Sequence, residues 1–220
     1  DTAGQSINLV YADSTKGWIP TSDITNALEP TPPNTLKAIF GFGNNGSAYT
    51  GITNLVNSSG VVASDVSAVG TARGNIAAAG YGGDKAIFAF GNTGSHVNTR
   101  NLVSNLGVVA SDASGAGTAR SLLAATKYGT GTAIFAYGAP GGTASSLSNL
   151  VSNTGVVAAD VSGVGTARGQ LAAASYGTGL GIFAYGTTNT TNVLSLKNLV
   201  NISGVIAADV TGVGTARHSL

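Results

Sequence analysis

Gly165-Thr166-Ala167-Arg168 is a word that the chain writes four times, the other copies being Gly70-Thr71-Ala72-Arg73, Gly117-Thr118-Ala119-Arg120 and Gly214-Thr215-Ala216-Arg217. The arginines stand at 73, 120, 168 and 217, in steps of 47, 48 and 49 residues. A nearly fixed period of this length marks a repeat architecture. Each unit of about 48 residues carries the same succession of short apolar runs separated by glycine turns. In the last full unit these are Leu171 to Tyr176, Gly181 to Tyr185, Asn198-Leu199-Val200 and Val205 to Val210. Glycine or a β-branched residue recurs every few positions, which disfavours helix and suits strands joined by tight turns.

Four short strands per unit predict an all-β chain, a β-propeller of about four four-stranded blades. The repeats begin late, because Ala38 to Phe42 matches the second run of the later units (Ala86 to Phe90, Ala133 to Tyr137, Gly181 to Tyr185) and no first run precedes it. At the far end Ala216 to Leu220 begins a first run and stops. The two defects are complementary, and the expectation is that the last segment completes the first unit, removing exposed sheet edges. An open β-solenoid is the other all-β reading.

Three regions are expected. Residues 1–20 form a short N-terminal β segment, with Gln5 to Asp13 extended, a turn at Ser14 to Gly17 and a second piece at Trp18-Ile19-Pro20. Such a ribbon is marginal alone, so it is read as the edge of an upstream or intermolecular domain. Residues 21–36, with Pro30-Thr31-Pro32-Pro33, read as a Pro/Thr-rich linker. Residues 37–220 are the repeats.

Charged residues are 9% of the chain and the net charge is +1. No basic cluster is available for nucleic acid, and the apolar runs are too broken for a membrane span. The chain has no Cys, hence no disulfide or thiolate chemistry. With no Met, Asp1 is read as the start of a processed product or of a segment of a longer chain.

Each Arg follows an Asp by eight residues: Asp65 and Arg73, Asp112 and Arg120, Asp160 and Arg168, Asp209 and Arg217. These are expected to be structural Asp–Arg pairs, for which the planar guanidinium fork is suited. A ring of arginines binding an anion is the alternative. Phe40, Phe88, Phe135 and Phe183, with Tyr81, Tyr128 and Tyr176, recur in register and are read as core. What varies is the loop between the second and third runs: 44–53, 92–100, 139–148 and 187–197. Divergent loops on a rigid scaffold are a common way to build a binding surface. Tyr49, His96, Arg100 and Asn189 are the candidate ligand-binding residues there. With two His, one Glu and one repeated Asp per unit, neither a Ser-His-Asp set nor paired glycosidase carboxylates nor a metal cluster assembles. No catalytic residue, metal or cofactor is therefore expected, and the chain reads as a non-enzyme.

The layout Ala167-Arg168, Leu171 to Tyr176, Gly181-Ile182-Phe183-Ala184-Tyr185-Gly186, Asn198-Leu199-Val200 and Val205 to Asp209 resembles a kelch repeat. It departs in carrying a single Gly after the second strand and in lacking the Tyr and Trp pair. The words Gly-Val-Gly-Thr-Ala-Arg, Asn-Leu-Val and Ile-Phe-x-Tyr-Gly, with the segment Ala3 to Asp13 and Gly17-Trp18 before them, are similar to repeats of tailed-bacteriophage fibre and appendage proteins. That resemblance implies a structural protein of a virion or extracellular appendage, with other fibre subunits or copies of itself as partners. The loop face is expected to serve host-surface or glycan attachment, a ligand the resemblance does not name, and a purely structural, self-assembling decoration module is the alternative.

Overall fold

A computed structural model describes residues 9–15, 17–20, 38–189 and 191–220. Among the described residues every regular element is a strand and none is a helix. The chain divides into two units, residues 1–35 and 36–220.

In the first unit β1 (Leu9–Asp13) pairs antiparallel with β2 (Gly17–Pro20), in a register that sets Leu9 opposite Pro20 and Tyr11 opposite Trp18. The strand expected from Gln5 onward is thus described only from Leu9. The expected linker, 21–36, lies outside the described residues.

The second unit holds four antiparallel sheets in chain order. The first contains β3 (Ala38–Asn44) and β4 (Tyr49–Val56). The second is β5 (Ala77–Tyr81), β6 (Lys85–Ala89) and β7 (Arg100–Val103). The third is β8 (Ala124–Tyr128), β9 (Thr132–Ala136) and β10 (Ser148–Val151), and the fourth β11 (Ala172–Tyr176), β12 (Leu180–Ala184) and β13 (Lys197–Val200). The three-stranded sheets are meanders with the middle strand between its neighbours, the first two strands of each joined by a short glycine turn. In the second sheet Tyr81 faces Lys85 across a turn in which Gly82 and Gly83 adopt φ of 61° and 88°, a conformation that costs glycine little.

The fourth run of each unit does not form a continuous ladder. It touches the third strand at two bridges, Val200 with Ile206 and Lys197 with Val210 in the last sheet, and Val103 with Val109 and Arg100 with Ala113 in the second. The strand expected over Val205 to Val210 is therefore an edge segment. Its main chain is opened because the Asn198 side chain donates from Nδ2 to the Ala207 carbonyl at 3.0 Å, standing where a neighbouring backbone N–H would.

The core lies between consecutive sheets. Ile87, Phe90, Leu123, Phe135, Val151 and Val157 form one buried layer between the second and third sheets, and Ile134, Tyr137, Leu171, Phe183, Val200 and Ile206 form the next. The middle strand β9 is apolar on both faces because a sheet covers each of them. Aromatic pairs mark every junction: Phe42 with Phe88 at 5.2 Å, Phe90 with Phe135 at 5.5 Å and Tyr137 with Phe183 at 5.5 Å between ring centroids. Main-chain bonds run from repeat to repeat as well, from Leu122 N to Asn75 O, Gln170 N to Leu122 O and Ser219 N to Gln170 O.

That last bond places the terminal Arg217 to Leu220 segment against the fourth sheet. Among the described residues no hydrogen bond joins it to the first sheet, contrary to the expected completion of the first unit by the last segment. Phe40, expected in the core with its three counterparts, is 63% exposed, while Phe88, Phe135 and Phe183 are 3% exposed or less. Its equivalents Phe88, Phe135 and Phe183 each pack on an aromatic ring of the sheet before them in the repeats.

Phe135→Ala is accordingly expected to destabilise the repeats by about 3–5 kcal/mol. Phe40→Ala should stay within about 0.5 kcal/mol in dilute protein. Urea unfolding followed by circular dichroism checks the contrast.

Candidate functional site

A guanidinium withdrawn from water needs acceptors along its edge and something to cover its faces. Arg73, Arg120 and Arg168 are all 0% exposed, so each must find both. Arg120 donates from Nε to the Tyr137 carbonyl at 2.8 Å, from Nη1 to the Thr118 carbonyl at 3.2 Å and from Nη2 to Asn149 Oδ1 at 2.6 Å. Its face lies over the Phe90 ring, 4.3 Å from the centroid. Arg73 repeats this with Phe90 O, Thr71 O, Asn101 Oδ1 and the Phe42 ring. Arg168 does so with Tyr185 O, Thr166 O, Asn198 Oδ1 and the Tyr137 ring. The stacked ring always belongs to the preceding sheet, and the acceptors on the sheet side to the sheet that the Arg opens.

The Asp of the clasp is not the one eight residues upstream. Arg73 Nη1 lies 3.7 Å from Asp112, Arg120 Nη1 3.7 Å from Asp160 and Arg168 Nη1 3.9 Å from Asp209. The expected partners Asp65 and Arg73, Asp112 and Arg120, Asp160 and Arg168, Asp209 and Arg217 make no ion pair. They fail because the eight residues between them cross from the end of one sheet to the start of the next, whereas Arg and Asp at opposite ends of one sheet meet. The carboxylate also accepts from Thr: in the third sheet Thr118 N and Oγ1 both donate to Asp160 Oδ2, at 2.9 and 2.7 Å. Asn149 Nδ2 donates to Asp160 Oδ1 at 3.0 Å and to the Ala158 carbonyl at 3.0 Å.

Asn101, Asn149 and Asn198, each 0% exposed, are thus the hubs that join guanidinium, carboxylate and edge segment. The sequence reading singled out Asn-Leu-Val as a strand and missed its Asn. The signal was available: the Asn stands 11 residues before its Asp in all four units. The glycine of the repeated word has a reason too. A Cβ on Gly70 would sit 2.6 Å from Asn101 Nδ2 and from Asp112 Oδ1, in the space the clasp fills.

Burial pulls the Arg120 guanidinium down to about 10, with Asp160 opposing it, so the group stays charged at neutral pH. For Asp160 partial burial pushes the carboxyl up. The hydrogen bonds from Thr118 Oγ1, Asn149 and Thr118 N, together with the charge of Arg120, outweigh that and hold it below the usual carboxylate value. Asp112 and Asp209 are lowered in the same way. Fully buried and bonded, these arginines offer no open ring of charge to an anion, which removes the alternative reading of them.

The four loop candidates part company. Tyr49 opens β4, packs against Gly74 and donates from its hydroxyl to Asn92 Oδ1 at 3.4 Å, so it braces the first two repeats. His96 is half-buried in the second loop, bridged to the same Asn92. Arg100 is in β7, not in a loop, and its Nη1 donates to the Ser114 carbonyl at 2.7 Å. Asn189 is exposed in the fourth loop and turns it, its Oδ1 accepting from Thr191 N and Asn192 N at 2.9 and 2.7 Å. The structure brings Tyr49 and His96 to one junction through Asn92, and leaves Arg100 and Asn189 in local structural roles.

The loops do share one end of the sheets with the Gly-Thr-Ala-Arg connections. Asn98 Nδ2 donates to the Gly115 and Gly117 carbonyls at 3.2 and 2.9 Å, and Arg168 N to the Ser145 carbonyl. Their exposed tips read Asn44-Asn45-Gly46-Ser47-Ala48, Thr93-Gly94-Ser95, Gly141-Gly142-Thr143 and, around Asn189, Thr191-Asn192. Amides and hydroxyls fill this rim, and no charged residue stands in it. No group of His, Cys, Asp and Glu suited to a metal ion occurs among the described residues. Compared with known families and with curated proteins, the chain matches no family model and no curated protein significantly.

Two outcomes follow from the clasp. Arg120→Ala should cost about 3–5 kcal/mol because it strands a partly buried carboxylate and amide. Arg120→Lys should recover little of that, since an ammonium lacks the fork. Asn54→Ala, in the first sheet where no Arg completes the set, should cost about 1 kcal/mol or less. Because the three Asp are depressed, the unfolded chain binds more protons in acid. Their contribution is present above the ordinary carboxylate pKa of about 4 and is lost as pH falls through the lower folded values. The melting temperature should be flat from neutral pH to about 5 and drop below about 4, as read by scanning calorimetry.

Proposed function

We propose that this chain is a structural scaffold of an extracellular or virion appendage, a β-propeller-like stack of kelch-like blades that displays its loop rim to a host surface, and that it is not an enzyme. The observation carrying this reading is the contrast between the two levels of each repeat. Below, an identical clasp of Thr, Arg, Asn and Asp holds three of the sheets. Above it, loops of differing length and sequence end in uncharged amide and hydroxyl tips. A rigid base under divergent tips is suited to recognition, and neutral hydrogen-bonding groups suit a glycan. The charged groups that chemistry would need are taken up by the fold.

The likeness of the repeated words to phage-fibre repeats supports the location, and the scarcity of charge supports a surface that meets a neutral, hydrated partner. Affinity per rim would be modest and raised by several copies on one particle.

The test is retention on a panel of immobilised bacterial-surface polysaccharides. Saturable binding to at least one is expected. It should be lost in a variant combining Ser47→Ala, Thr93→Ala, Thr143→Ala and Thr191→Ala, whose melting temperature stays near that of the parent because all four positions are exposed. Absence of binding to the whole panel, or binding indifferent to the four substitutions, overturns the display reading.

A further inference from the structure

Each junction between sheets is built from the same parts, and the two outermost faces carry one half of those parts each. On the outer face of the first sheet Asn54 Nδ2 donates to Asp65 Oδ1 at 2.8 Å and to the Ala63 carbonyl at 3.1 Å, which is the Asn and Asp half of a clasp. No Thr-x-Arg reaches it among the described residues. Beyond the fourth sheet Arg217 stacks on Tyr185, 3.9 Å from the ring centroid, and donates from Nη1 to the Thr215 carbonyl. This is the Thr and Arg half, and among the described residues it meets neither Asn nor Asp.

The apolar parts match in the same register. In the interior, the glycine of each outer turn seats on a Leu, and in two of the three cases on a Tyr, of the sheet before it: Gly155 on Tyr81 and Leu102, Gly204 on Tyr128 and Leu150, Gly107 on Leu55. The corresponding Gly60 meets nothing within 4 Å. Its counterpart is an apolar groove on the fourth sheet lined by Tyr176, Leu180, Leu199 and Val205. There Tyr176 is 41% exposed where Tyr81 and Tyr128 are 4% and 7%. Val62 is 54% exposed, while its equivalents Val109, Val157 and Ile206 are 8% or less. Phe40 is 63% exposed, open to an aromatic partner of the kind Phe88, Phe135 and Phe183 have, and Tyr185 is the ring at the other end, which has no such neighbour among the described residues.

We propose that these two faces bind each other between chains. The first sheet of a second copy docks on the fourth sheet of the first, so that Asn54 and Asp65 complete the clasp of Arg217 and Thr215. Gly60 seats in the Tyr176 and Leu199 groove, and Phe40 pairs with Tyr185. The contact continues the internal repeat-to-repeat interface across a chain boundary. It is heterologous, so copies add head to tail and end in a closed ring or an open filament according to the rotation per chain. The proposal concerns the end faces and not the loop rim, so its failure and the failure of glycan display are read by separate measurements.

Sedimentation velocity of the 220-residue chain over a range of concentrations tests it, and assemblies larger than one chain are expected. Phe40→Ser and Arg217→Ala should each weaken association about tenfold or more. Both side chains are exposed, so the circular dichroism and melting of the dissociated chain should be unchanged. Because the chain has no Cys, two single-cysteine variants, Asp65→Cys and Thr215→Cys, supply a second readout. Mixed and treated with a short bismaleimide, they should yield a linked heterodimer. A chain that stays monomeric at every concentration overturns the proposal. So does a double Asp65→Cys, Thr215→Cys variant that links only within one chain, which would mean that the chain closes on itself.

Discussion

A buried guanidinium sets the terms for everything around it. Arg73, Arg120 and Arg168 carry full charge into the space between sheets, where an unsatisfied donor costs far more than at the surface. The surrounding sequence answers that demand. Thr supplies a carbonyl, Asn an amide oxygen, and Asp a charge that Thr and Asn also hold by hydrogen bonds. An aromatic residue of the same sheet turns its carbonyl toward Nε by adopting a positive φ, 64° at Phe90, 66° at Tyr137 and 64° at Tyr185. Such a backbone is strained for a bulky L-residue. The strain is held because the carbonyl then meets the charge, and for Phe90, Tyr137 and Tyr185 the ring is covered by the next repeat's guanidinium.

The clasp explains how variable loops coexist with constant sheets. From Arg to the accepting aromatic carbonyl is always 17 residues, and from Asn to Asp always 11. From Arg to Asn the separation grows from 28 to 29 to 30. The growth is confined to the loop between the second and third strands, where an added residue disturbs neither end of the clasp. Variation is therefore channelled to the rim, which is where the proposed recognition lies. Each clasp also ties one sheet to the ring of the sheet before it, so its stabilisation repeats from junction to junction.

Much of this architecture was legible in the residues. The period of the Gly-Thr-Ala-Arg word and the apolar runs between glycines pointed to strands, and β5 through β13 lie within a residue or so of where those runs predicted. The recurrent aromatics belonged to the core at the interior junctions. The errors came from reading proximity along the chain as proximity in space. Asp65 stands near Arg73 in sequence, yet its partner is Asn54 within its own sheet. Arg100 and Tyr49 looked like loop residues, and both open strands, Tyr49 reaching across to Asn92 as well. Asn101, Asn149 and Asn198 passed unnoticed because an Asn in an apolar strand carries no charge to attract attention, although its spacing to Asp never varies.

What the amino-acid sequence determined by itself is local: the strand period, the glycine turns, the number of repeats and the confinement of variation to one loop, all consequences of backbone sterics and of alternating polarity. What only the tertiary structure decided is which charge answers which. An Arg and an Asp some forty residues apart meet because one meander returns its last segment beside its first. The same applies to exposure: Phe40 and Phe135 sit in the same repeated word, yet one is 63% exposed and the other, packed on Phe90 of the sheet before it, is fully buried. Hydrophobic burial and charge desolvation depend on what packs from outside the segment, and no local pattern contains that.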